Sequence, residues 1–137
     1  MRARMCRHDD DGTALIEVLG LGVGLLVPLL YAVLTALSVQ SASFAATSAA
    51  REAARADVAS STHAQGLTRA RAATRLVLAD AGVAYAAPAV RCAGGCLRPG
   101  ARVDVTVRVA VPLPLLGLSP ITVSGQESMP VDRYRNG

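Results

Sequence analysis

Large aromatic side chains are almost missing from this chain: it has no Trp, one Phe and three Tyr in 137 residues. A thick globular core leans on aromatics, each of which buries a large area, so that kind of core is excluded. The apolar share is nevertheless 52%, carried by Ala, Val, Leu and Gly. Such a composition favours close helix packing and a thin sheet, and the length leaves room for one small domain. Lys is also missing, and the formal net charge of +4 rests on arginines alone. Those of the central region are scattered (Arg51, Arg55, Arg69, Arg71, Arg75, Arg91), with no dense patch and no aromatics interleaved for base stacking. Nucleic acid is therefore not an expected partner. Histidine is scarce too. His8 lies near the N-terminus, and His63 reads as a solvated loop residue with no Cys or His at ligand spacing. No Gly-rich phosphate loop follows a strand, and no Ser or Cys has a base beside it in a motif context. No catalytic residue, metal ligand, cofactor or small-molecule substrate is expected, and the chain is not read as an enzyme.

What the sequence does have is a long apolar run. Leu15 to Val39 reads LIEVLGLGVGLLVPLLYAVLTALSV, and its one charge, Glu17, stands near its start. About 20 apolar residues suffice to cross a bilayer core as a helix. A secretory signal has an apolar region of about 7–15 residues ending at a cleavage site, and this run is longer and continues into a small-residue helix. The lipid bilayer is thus the first expected partner. Arg2, Arg4 and Arg7 precede the run, and the first charge after it is Arg51. That bias places the N-terminus in the cytoplasm and the chain from about Ser41 outside a plasma membrane crossed once. Gly20 and Gly24 have the spacing that lets membrane helices approach closely, although Gly is also simply common in such helices. Pro28 removes a backbone hydrogen bond and is expected to kink the span.

Beyond the run, Ala42, Ala45, Ala49, Ala53 and Ala56 recur at helical steps and form a small-residue stripe. Glu52 and Arg55 are spaced for an i,i+3 pair. SSTHAQG at 60–66 breaks the pattern. A second helix is expected over Leu67–Ala81, with Gly82 as its stop. The period then changes to two: Val103, Val105, Val107, Val109 and Val111 alternate with Asp104, Thr106, Arg108 and Ala110, which predicts a strand. Val83–Cys92 and Ile121–Val131 are candidate partner strands, the first weakened by Pro88. Cys92 and Cys96 flank Ala-Gly-Gly in the turn between the first two strands. Two cysteines so placed can close a disulfide if their Cα atoms come within about 7 Å. A free thiol pair, half a metal site and a redox pair are the other readings. The apolar stretch Pro112–Ile121 suits packing under a helix, on the membrane surface or on a partner.

Two segments carry a family resemblance. In Asp11-Gly12-Thr13-Ala14-Leu15-Ile16-Glu17-Val18, a short basic leader ends in Gly, an apolar stretch follows at once, and a lone Glu stands five residues after the Gly. This resembles the processing site of type IV prepilins and of tight-adherence (Tad/Flp) pilins and pseudopilins. Further on, Ala49-Ala50-Arg51-Glu52-Ala53-Ala54-Arg55 is similar to a run in the TadE family of pilus assembly proteins. The resemblance covers roughly residues 12–56. It implies cleavage between Gly12 and Thr13 by a prepilin peptidase, which would also remove Cys6. It further implies that Glu17 pairs with the free amine of a neighbouring pilin or pseudopilin subunit in the assembly machinery. The alternative for Glu17 is that it snorkels to the headgroups. Val18 departs from the family, where Phe or Tyr is frequent after the Glu.

The expected architecture is α+β and pilin-like. Its parts are a leader (1–12), a transmembrane helix (13–39), an extracytoplasmic Ala-rich helical region (40–82) and a small β-rich head (83–137). The expected role is that of a membrane-anchored pseudopilin-like protein. The alternatives are an uncleaved single-pass envelope scaffold or secretion accessory and, third, a thiol protein using Cys92 and Cys96.

Overall fold

The computed structural model describes the backbone of residues 11–113 and 117–134, with side chains from Ile16 onward except Leu118. Cys6 and His8, and the middle of the Pro112–Ile121 stretch, lie outside the described residues. The fold is α+β. Helix α1 spans Asp11–Val58 and α2 spans His63–Asp80, followed by β1 (Ala89–Ala93), β2 (Arg102–Leu113) and β3 (Leu118–Pro130). The chain divides into two compact units, one up to Ala36 and one from Leu37 onward.

In the first unit, α1 is apolar on every face beyond Glu17. Ile16, Leu21 and Leu25 are all at least 70% exposed. It is long and apolar enough to cross a membrane, and none of its most apolar stretch is buried within the chain. A helix apolar all round needs an apolar environment, because in water each exposed Leu or Val forgoes about 1.5–3 kcal/mol of burial. The helix runs unbroken through Pro28.

In the second unit α1 carries a different pattern. Ala46, Ala49, Ala50, Ala53 and Ala54 are fully buried, and Ala42 and Ala45 nearly so. The stripe is wider than the expected one, two adjacent rows instead of one, while Ala56 is only half-buried. Helix α1 ends where Ser60 Oγ donates to Ala56 O at 2.7 Å. Helix α2 begins four residues earlier than expected. Thr62 is its N-cap, its hydroxyl accepting from Gln65 N at 3.3 Å, while Ser61 Oγ donates to Gln65 Oε1 at 2.8 Å. Thr62-x-x-Gln65 is a capping-box pattern, so the segment taken for a loop starts a helix. At the other end Gly82 adopts φ 67°, its N–H donating to Ala79 O and that of Val83 to Leu78 O. This paired arrangement needs a left-handed residue at Gly82. Gly66, Ala70, Thr74 and Leu78 form the buried row of α2.

The sheet is an antiparallel meander in the order β1-β2-β3. The alternating valines of β2 face inward: Val103, Val105, Val107 and Val109 are at most 1% exposed. Opposite them on β3 stand Met129, Glu127, Gly125 and Val123. β1 is shorter than the expected Val83–Cys92, because Pro88 cannot donate to the ladder and the strand starts after it. Segment 83–88 is instead held on α2, with the Arg75 guanidinium 5.0 Å from the centre of the Tyr85 ring. At the other end of β2 the register slips between Val111 and Leu113, around Pro112.

Gly125 decides how close helix and sheet can come. A Cβ there would collide with the α1 backbone at Ala46 and Thr47. Gly125→Val is therefore expected to destabilise the second unit by about 1–3 kcal/mol or more. Leu78→Ala should cost about 2–5 kcal/mol. Gly20→Ala meets nothing within 4 Å and should leave that stability unchanged. Denaturant unfolding of the detergent-solubilised protein, followed by circular dichroism, measures all three.

Candidate functional site

The sequence singled out residues in three places. At the N-terminal junction, Gly12 and Thr13 lie in the first turn of α1. Glu17 follows on the same helix and is exposed. Gly20 and Gly24 face open space, since an added Cβ at either would meet nothing within 4 Å. The surface around Glu17, Gly20 and Gly24 is therefore unoccupied by any described part of the chain.

The second place is the Ala-Ala-Arg-Glu-Ala-Ala-Arg run. Its alanines supply four of the buried core residues, and its charges stand outside. Arg55 Nη1 lies 3.6 Å from Glu52 Oε1. Arg51 Nε lies 3.7 Å from Glu127 Oε2 on β3. The motif thus acts as a fold element: alanines against the sheet, and Arg51 reaching past them to an inward-facing acid. Because Arg51, Glu52 and Arg55 are all exposed, the pairs contribute little, about 0–1 kcal/mol each.

The third place is at the edge of the sheet. Cys92 lies on the inward face of β1, opposite Val103. It is joined to Cys96 in a disulfide with Cα atoms 5.1 Å apart. Gly94 and Gly95, at φ 84° and 98°, make the bend. Leu97 follows at φ 61°, a left-handed conformation that a side chain with a Cβ rarely adopts. Arg98 folds back across Gly95, its Nε 3.2 Å from where a Cβ would stand.

His63 is found here and not in a solvated loop. It is the first residue of α2 and half-buried. Its Nδ1 lies 3.5 Å from Asp57 Oδ1, and the Asp57 side chain is fully buried. An imidazole nitrogen of His63 and the two cystine sulfurs all lie within 4.8 Å of one another. Asp57 was not singled out from sequence. The signal was there, because it continues the Ala45, Ala49, Ala53 row at a four-residue step and so puts a carboxylate on the buried face. Gly66 makes room for it, since a Cβ at that position would collide with the Asp57 carboxylate. His63, Cys92 and Cys96 have the chemistry of a metal-ligand set only as thiolates. With the disulfide closed, the sulfurs are committed to each other and the imidazole is the one strong donor left.

A shallow groove runs over the outer face of the sheet, lined by Arg91, Asp104, Arg108, Gln126 and Ser128. Charges of both signs alternate along it, as on a solvated surface.

Comparison with protein-family models, with curated proteins and with solved structures returns no match to this chain.

Replacing both Cys92 and Cys96 by Ser opens a loop of five residues, for which chain entropy gives a stability loss of about 2 kcal/mol. Arg51→Ala should lower stability by less than about 1 kcal/mol. Urea unfolding of each variant beside the parent chain checks both figures.

Proposed function

We propose that this chain is a membrane-anchored, pseudopilin-like structural subunit in the assembly of a Tad/Flp-type pilus. The observation that carries the proposal is a change of character within one helix. Residues 18–30 of α1 are apolar and exposed on all faces among the described residues, Pro28 included. From Ala42 the same helix turns an alanine face to a sheet. A helix of the first kind belongs in lipid or against other helices. One of the second kind serves as the core of a small α+β head. Having both in one unbroken helix, headed by Gly12-Thr13 and Glu17, supports a pilin-like plan.

In this reading a prepilin peptidase cuts after Gly12, and the α-amino group of Thr13 becomes free. Glu17 sits at the edge of the hydrocarbon, where a carboxylate is costly and usually has a partner. The amine of a neighbouring subunit is that partner. Gly20 and Gly24 lie on the helix where none of the described residues covers them, and they let a second membrane helix approach closely. The leader arginines keep the N-terminus cytoplasmic, and the head with its disulfide stands outside, a compartment that permits disulfides. The role is structural. No metal, cofactor, substrate or nucleic acid enters it.

The test is the N-terminal sequence of the membrane-extracted protein from cells with and without their prepilin peptidase. A mature chain beginning at Thr13 only when the peptidase is present is the expected result. A chain beginning at Met1 in both would leave an uncleaved envelope anchor instead. Gly12→Val is expected to keep the leader on. Glu17→Ala should still be processed but lose at least about tenfold in subunit cross-linking, the loss of about 1.4 kcal/mol of pairing.

A further inference from the structure

The cystine at the edge of the sheet has neighbours that a purely structural disulfide does not require. His63 lies within 4.8 Å of both sulfurs. Behind it stands the fully buried Asp57, 3.5 Å from Nδ1. Gly66 keeps the space that Asp57 occupies. On the solvent side Cys96 is exposed, whereas Cys92 is half-buried on the inward face of β1. Arg98 folds over the same loop and adds positive charge, and Leu97 is held left-handed immediately after Cys96.

We infer that the Cys92–Cys96 disulfide is a thiol–disulfide exchange site for an external dithiol, with His63 as its acid–base group and Asp57 as a positioning residue. The inference does not depend on the pilus reading. In the first step a thiolate of the dithiol attacks Cys96 Sγ, the sulfur that solvent reaches. The Cys92–Cys96 bond breaks, and the electron pair leaves on Cys92 Sγ. The His63 imidazolium gives that sulfur its proton, since the rate of exchange depends on how well the leaving sulfur is stabilised. In the second step the other thiol of the dithiol, losing its proton to the now neutral His63, attacks its own sulfur in the mixed disulfide. Cys96 leaves as the thiolate, in the loop over which Arg98 folds. The protein cystine is reduced by two electrons, and the dithiol is oxidised to its disulfide. Run backwards, the same steps oxidise a dithiol partner.

The experiment uses the full-length chain in detergent with Cys6→Ser, so that the cystine is the only source of new thiols. Reduction by dithiothreitol is followed by acid quench and alkylation mass shift, and compared with reduction by a phosphine. A phosphine attacks the same sulfur and expels the same Cys92 thiolate, but has no second thiol to deprotonate, so it isolates the leaving-group step. His63→Gln is expected to slow the dithiol reaction at least tenfold and to slow the phosphine reaction as well, because both reductants need the leaving Cys92 sulfur protonated. Asp57→Asn is expected to act in the same direction. Should Asp57→Asn fail to fold, His63→Gln, at a half-exposed helix start, still decides the matter. Dithiol rates within twofold of the parent would overturn the proposal. So would a slow His63→Ala variant whose rate added imidazole does not raise, because His63 would then govern only access.

Discussion

The second unit depends on one contact, the close approach of an alanine-faced helix to a valine-faced sheet. With almost no aromatic side chains to bury, the chain gains its burial by reducing distance instead of enlarging side chains. Ala46, Ala49, Ala50, Ala53 and Ala54 present a nearly flat helix face. The valines of β2 are stiff at χ1 and stand regularly from the pleat. Gly125 removes the last obstacle, because any side chain there would push against the α1 backbone. Gly66 repeats the device between the two helices, where a buried carboxylate needs the space. Dispersion falls off steeply with separation, so this core tolerates little loosening.

Because α1 supplies both that alanine face and the apolar segment before it, the sequence of one helix has to satisfy two environments. Up to Ala36 large apolar side chains point in every direction. From Ala42 they give way to methyl groups on one side and, apart from the exposed Phe44, to Ser, Thr, Arg and Glu on the other. The Ala-Ala-Arg-Glu-Ala-Ala-Arg run is where both demands of the head meet: its alanines set the helix–sheet distance and Arg51 pairs with Glu127 across the contact. A run that resembles a pilus-assembly family in sequence thus has a physical use in this fold, independent of any partner.

Much of this was legible in the sequence. Five valines at alternating positions predicted β2 within two residues at either end, and Gly82 marked the end of α2. The Glu52–Arg55 spacing predicted the pair found there. Other parts were not read correctly. The start of α2 was hidden because Ser60, Ser61 and Thr62 look like loop residues, and only the Thr62–Gln65 spacing identifies a cap. The first strand starts only after Pro88, the residue that weakens a strand over Val83–Cys92. The His63–Asp57–cystine cluster was missed for a different reason. Its members are spread from position 57 to position 96, and only the fold of β1 beside the start of α2 brings them together. Sequence spacing reports local neighbours, whereas this site is made by tertiary packing.

The central claim is that α1 passes from a lipid-facing to a core-facing element without interruption. Spin labels placed singly along residues 18–58 of the protein in liposomes test it most directly, by comparing collision with dissolved oxygen and with a water-soluble nickel chelate. The account predicts high oxygen accessibility at every position across residues 18–30, with no helical periodicity, and partial shielding at Tyr31, Thr35 and Val39. A three-to-four-residue alternation between shielded and water-accessible positions should then set in from about position 42. Collision with the nickel chelate throughout residues 18–36, or a change to non-helical periodicity between 37 and 42, would contradict it.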